Sequence, residues 1–109
     1  MAQNKIDNEN FKPLAEINRI IHEPARLLIL AYLSVVECAD FLFLMNQTGL
    51  TRGNLSAHLS KLEAAGYVQI KKEFVEKIPR TLLSLSETGR KAFQQYTHSM
   101  KQVLDNLTE

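Results

Sequence analysis

Ser56, His58 and Ser60 are the residues of this 109-residue chain whose types come nearest to a nucleophile with its base. Nucleophilic catalysis needs the two side chains within hydrogen-bond reach, and on a helix residues two apart point away from each other. No phosphate-cradling glycine loop, dinucleotide fingerprint or catalytic pair of carboxylates accompanies them. The reading is therefore that the chain is not an enzyme. Cys38 is the single cysteine, so no disulfide can close within the chain, and no Cys or His cluster at zinc-ligand spacing surrounds it. Neither metal nor cofactor is expected, and Cys38 is expected to serve as a small buried apolar residue. His22, His58 and His98 are read as packing or surface residues.

The segment that holds Ser56 and Ser60 makes better sense as a contact surface. At about 100° per residue, Leu55, Leu59 and Leu62 share one side of a helix, and Gly53, Ser56, Ala57, Ser60 and Ala64 share the opposite side. Asn54 and Lys61 flank that arc, and Arg52 lies in the first turn. A helix meant only for water would carry Glu and Lys there. A small, uncharged face lets the backbone approach another surface closely, and the major groove of B-DNA admits a helix. Ser56, Ser60 and Asn54 can then bond base edges, Ala57 can meet a thymine methyl, and Arg52 can pair with guanine or phosphate. The same face could instead pack on a partner helix, so a protein-assembly module without DNA binding is the alternative reading.

Charge favours the nucleic acid. The chain carries only +1 overall, but residues 51–80 hold six bases and three acids, whereas residues 1–50 hold four bases and six acids. The positive middle includes Lys71, Lys72, Lys77 and Arg80 in the segment just after the small-faced helix, where they could reach phosphates or a minor groove.

The elements that must position these residues follow from periodicity and caps. Asn10 can cap a first helix to about Ile21, with Pro13 in its first turn and an apolar face of Phe11, Leu14, Ile17, Ile20 and Ile21. Residues 1–9 read as a loose tail. A central apolar helix starts near Glu23 and Pro24 and runs to about Val36. Asp40 caps a short helix from Phe41 to Thr48, which Gly49 ends, and Thr51 caps the next, which Gly66 ends. Two helices joined by so short a glycine-containing turn are a helix-turn-helix. Tyr67–Lys72 and Thr81–Leu85 alternate as two strands, with a charged connection from Phe74 to Pro79. Ser86 caps a last helix to about Leu107, whose Phe93, Tyr96, Met100, Val103 and Leu107 make a heptad-like seam.

From Ile21 to Phe93 the chain resembles winged helix-turn-helix regulators of the MarR/ArsR-like type. The resemblance rests on His22-Glu-Pro-Ala-Arg-Leu-Leu-Ile-Leu, on Gly49-Leu-Thr-Arg-Gly-Asn-Leu-Ser-Ala-His-Leu-Ser-Lys-Leu-Glu-Ala-Ala-Gly-Tyr-Val, and on Pro79-Arg-Thr with Leu85-Ser-Glu-Thr-Gly-Arg-Lys-Ala-Phe. It implies that Thr51, Arg52, Asn54, Ser56, Ala57, Ser60 and Lys61 face the major groove. It also implies that the hairpin is a wing on the backbone or minor groove, and that the outer helices build a dimer. The paired cysteines of metal-sensing ArsR proteins are absent.

The expectation is thus a mainly α fold with a small β hairpin: one winged helix-turn-helix domain over residues 1–109, with a helix at 10–21, a core at 22–86 and a dimerisation helix at 87–107. Phe11, Leu14 and Ile17 with Phe93, Tyr96, Met100, Val103 and Leu107 are the expected dimer interface. The function expected is sequence-specific binding of double-stranded DNA by a homodimer that regulates transcription, most simply as a repressor. No run approaches the ~20 apolar residues of a membrane span, so a soluble cytoplasmic protein is expected. A small-molecule effector of no nameable identity could enter among Tyr32, Phe41, Phe43 and Tyr96.

Overall fold

The computed structural model describes residues 9–108. After a 3-10 turn at Glu9–Phe11 come α1 (Lys12–Ala15), α2 (Pro24–Ser34), β1 (Ala39–Asp40), α3 (Phe41–Thr48), α4 (Arg52–Ala64), β2 (Val68–Val75), β3 (Ile78–Leu85) and α5 (Glu87–Leu107). This is a mainly helical winged helix with one three-stranded antiparallel sheet in the order β1-β3-β2. Among the described residues no helix is long and apolar enough to cross a membrane.

Side-chain caps set four of the helix starts. Glu23 accepts from the Arg26 N–H, Asp40 from Leu42, Thr51 from Asn54 and Ser86 from Gly89. Each carboxylate or hydroxyl satisfies an amide that has no partner inside its own helix. Gly49 ends α3 in the left-handed conformation, φ 72°, which a side chain would disfavour. Ile29, Leu30 and Leu33 of α2 meet Leu44 of α3, Leu55, Leu59 and Leu62 of α4, and Val68 and Leu83 of the sheet in one buried core. The central position expected of the second helix is the one observed.

Three sequence expectations need correction. The first helix does not run from Asn10 to Ile21: α1 ends at Ala15, and its cap position is Phe11, without a side-chain bond. The cause is Asn18. Its Oδ1 accepts from the N–H groups of Ile20 (3.0 Å) and Ile21 (3.1 Å), and its Nδ2 donates to the Tyr67 hydroxyl (2.9 Å). Such local bonds replace the helical ladder, and the turn they make delivers Ile21 into the core, fully buried. Of the loose tail expected at 1–9, residues 1–8 lie outside the described residues, and Glu9 belongs to the 3-10 turn.

The second correction is the hairpin. Phe74–Pro79 is not a charged connection, because Phe74 pairs with Pro79 and Val75 with Ile78. Only Glu76 and Lys77 turn, both with positive φ (52° and 68°). A two-residue turn of this hand matches strand twist and normally recruits Asn-Gly; a Glu-Lys pair gives no such signal in sequence. The third is Cys38, which is exposed rather than buried. It sits just before β1, a two-residue strand that the sequence did not reveal and that pairs Ala39 with Leu83 and Asp40 with Leu82.

Candidate nucleic-acid interface

Helix α4 hangs from the core by Leu55, Leu59 and Leu62, with relative exposures of 0%, 2% and 0%. That anchoring leaves Thr51, Arg52, Gly53, Asn54, Ser56, Ala57, Ser60, Lys61 and Ala64 exposed. All seven helix residues predicted as DNA contacts therefore reach solvent. They fall into two groups. Arg52, Ser56 and Ser60 line a groove of about 680 Å³ whose other wall is the hairpin, through Ile70, Lys72, Thr81 and Leu83. Asn54, Ala57 and Lys61, with the cap residue Thr51, lie outside that groove.

Phe41, Leu59 and Glu63 complete the groove. The Arg52 guanidinium sits over the Phe41 ring, 5.4 Å from its centroid. A cation held on an aromatic face keeps its charge while losing part of its rotational freedom, so Arg52 is displayed at the head of α4 rather than left waving. The contribution of Phe41 was not apparent beforehand. Residues 41 and 52 belong to different helices, and only their packing brings them together.

The four predicted wing bases do not form one patch. In a strand, alternate residues face opposite ways. Lys72, paired with Thr81, shares the face that looks on α4. Lys71 lies on the other face and pairs with Glu73 at 3.5 Å. Arg80, opposite Glu73 in the ladder, donates from Nε to Asp40 Oδ2 at 3.1 Å. Lys77 occupies the turn. Among the described residues, then, Lys72 and Lys77 carry no ion pair, while the charges of Lys71 and Arg80 are partly spent within the chain.

Asp40 ties two elements together: Oδ1 caps α3 through Leu42 (2.7 Å), and Oδ2 holds Arg80 of β3. Burial pushes its pKa up, but the Leu42 amide and the Arg80 guanidinium outweigh that and hold it below its ordinary value. Glu23 does similar work for α4. Its carboxylate accepts from the Arg26 amide, the main reason its pKa is lowered, and its Oε1 lies 3.9 Å from His58 Nδ1. Arg26 Nη1 reaches the same ring nitrogen at 3.2 Å, and Arg26 Nε donates to the Ile20 carbonyl. His58 is thus held by Arg26 and Glu23 rather than free at the surface. It fastens the flank of α4 remote from the wing to the first turn of α2.

Where α4 passes into the wing, Gly89 in the first turn of α5 packs directly on the backbone of Tyr67, where a Cβ would fall on the carbonyl group. That carbonyl accepts from the Ser86 amide at 3.0 Å, and Ser86 Oγ donates to the Gly66 carbonyl at 2.5 Å. The eight residues expected at a dimer interface are treated unequally. Tyr96 (7%) and Val103 (1%) are buried within the chain itself, and Phe11, Ile17, Phe93 and Met100 are partly buried, with only Leu14 (42%) and Leu107 (61%) strongly exposed. Leu104, at 53%, joins them and was not anticipated. Tyr96 donates to or accepts from His22 Nδ1 at 2.7 Å, and burial raises its pKa.

The four aromatic residues expected to line an effector pocket do not converge. Phe41 is in the α4 groove and Phe43 is exposed. Tyr32 approaches the Gln47 carbonyl at 3.5 Å, and Tyr96 faces a cleft of about 590 Å³ between the α1 region and α5.

A helix-turn-helix with an exposed small-faced second helix, followed by a hairpin across a groove from it, defines a DNA-binding protein of the winged-helix class. Comparison with known proteins agrees. Residues 25–104 match the winged helix DNA-binding domain family, and the chain belongs to it. It is 35% identical over 89 residues to uncharacterized protein MJ0432 of Methanocaldococcus jannaschii, an alignment covering 82% of this chain and 97% of that one. The transcriptional regulator homologue protein from Pyrococcus horikoshii OT3 superposes with a TM-score of 0.84 at 32% identity, covering 88% of this chain and 97% of that chain. A MarR family transcriptional regulator from Silicibacter pomeroyi shares the fold, with a TM-score of 0.62 at 21% identity over 92% of this chain and 66% of that chain.

Proposed function

We propose that this chain is a homodimeric transcriptional repressor that reads double-stranded DNA with α4 in the major groove and steadies itself with the wing on the backbone or minor groove. The observation that carries the reading is the exposed arc of Gly53, Ser56, Ala57, Ser60 and Ala64, uncharged and small, with Arg52 at its head, Lys61 near its end and Lys72 across the groove. Small residues set the distance of approach, the three cations supply the attraction to phosphate, and Ser56, Ser60 and Asn54 supply the hydrogen bonds to bases.

Leu14, Leu104 and Leu107 give the terminal elements the exposed apolar surface that a partner copy would cover. A twofold dimer would set two α4 helices roughly 34 Å apart, one turn of DNA, and so select a pseudo-palindromic site. A repressor needs only to occupy such a site. The cleft beside Tyr96 is where we place an effector, since it joins the terminal elements through Pro13, Ile17 and Gln102.

The test is fluorescence-anisotropy binding to mixed-sequence duplex DNA across about 50–200 mM salt, with an Arg52→Ala, Lys61→Ala variant alongside. Binding that falls steeply with salt and is weaker in the variant is expected. A wild-type chain that binds no duplex at the lowest salt overturns the reading in favour of a protein-assembly module.

A further inference from the structure

The wing carries an apolar tip that the reading above leaves unused. Phe74, Val75 and Ile78 are 75%, 37% and 62% exposed, beyond the last core contacts of the sheet. Phe74 stands two residues outward from Lys72 on β2, so alternation puts it on the ribbon face turned toward α4. Lys72 lies below it on that face and Lys77 lies beyond it in the turn, neither in an ion pair among the described residues. Glu73 falls on the opposite face by strand alternation, where it meets Lys71. The hairpin from 68 to 85 holds four bases against two acids, the second acid being Glu76 in the turn.

We propose that Phe74 is an apolar wedge that the wing inserts into the minor groove, between Lys72 and Lys77 on the flanking phosphates, and that it selects for easily unstacked base steps there. The inference rests on the DNA-binding reading above. An exposed phenylalanine on a projecting hairpin has no core to join, and a pair of bare cations on either side draws the tip to a polyanion rather than to an apolar protein surface. Apolar side chains inserted between base steps unstack and bend the duplex, and the cost depends on the sequence being deformed. Such a contact adds affinity without releasing counterions. It therefore differs from a lysine contact in a way that salt can reveal.

The experiment uses a duplex that the wild-type chain selects from a random-sequence library, with 2-aminopurine replacing the flanking adenines one at a time. Phe74→Ala should weaken binding roughly tenfold, leave the salt slope unchanged and abolish a 2-aminopurine fluorescence increase that the wild type produces. Lys77→Ala should reduce the slope by about one unit and keep the fluorescence increase. Phe74→Leu should retain part of both affinity and signal. Because Phe74 lies outside the core, the melting temperature of each variant should match that of the wild type.

Phe74→Ala binding within about twofold of wild type, with the same fluorescence, overturns the wedge while leaving DNA binding intact. So does a change confined to self-association in sedimentation, which would mark the tip as a contact between copies. Failure of the wild type to select any duplex overturns the DNA-binding reading and the wedge together.

Discussion

Helices α4 and α5 are both entered through a hydroxyl cap, Thr51 and Ser86, and both bury one apolar stripe, yet their outer faces are opposites. On α4 the core takes Leu55, Leu59 and Leu62 and the outside is left small and smooth. On α5 the core takes Gly89, Tyr96 and Val103, and large apolar side chains, Leu104 and Leu107, are left outside with charged neighbours such as Lys101 and Asp105. The burial that holds each helix is ordinary. What differs is the surface that remains once burial is satisfied: a shallow face suits a groove of fixed shape, whereas protruding leucines call for another apolar surface to cover them.

Mutations can break this contrast at its anchors. The largest effect is expected at the root of α5: Gly89→Ala drives a methyl group into the Tyr67 carbonyl and should cost about 3 kcal/mol of stability, read by urea unfolding. Next, Leu104→Asp should leave the folded chain intact but raise the dimer dissociation constant about tenfold or more in sedimentation, since it places a charge on the face that we assign to the partner copy. The equivalent surface change on α4, Ala57→Asp, should leave self-association unaltered and remove DNA binding, which sharpens the division of labour between the two helices.

A third effect concerns the tie between α4 and α2. The Glu23 pKa is lowered in the folded chain from its ordinary 4.5, so the stability it contributes is fully present above that value and lost as pH falls through the depressed one. Glu23→Gln should therefore cost about 1 kcal/mol near neutral pH, and the gap between variant and wild type should close as urea titrations are carried down below the ordinary 4.5 and through the depressed pKa. The smallest effect should come from the wing turn. Glu76→Asn puts a residue that tolerates positive φ where the chain has a strained one and should add about 0.5 kcal/mol.

The two helices were also unequally legible. For α4 the cap, the leucine spacing, the small outer face and the terminating glycine are all local, so its boundaries and its exposed residues could be read from residues 51–66 alone. The seam of α5 was equally visible, but its use was not. Periodicity says that Phe93, Tyr96, Met100, Val103 and Leu107 share a side; it does not say whether their own chain covers them, and for Tyr96 and Val103 it does. The first helix misled for a related reason. Its apolar pattern continues through Ile20 and Ile21, but Asn18 finds Tyr67, distant in sequence, and turns the chain instead.

By itself the sequence determined the order of α2 to α5 and the wing, the caps of α3, α4 and α5 and the core faces of these helices, because these follow from interactions within a few residues and from a period that burial must respect. It did not determine β1 or the end of the first helix. The tertiary structure alone decided which cations are bare and which are partnered. Lys71, Lys72 and Arg80 look alike in sequence, yet strand alternation sends Lys72 toward α4, Lys71 to Glu73, and Arg80 to Asp40, 40 residues away. Charge is a property of a residue; whether it is available to a partner is a property of its neighbours, and those are fixed only when strands pair and helices dock.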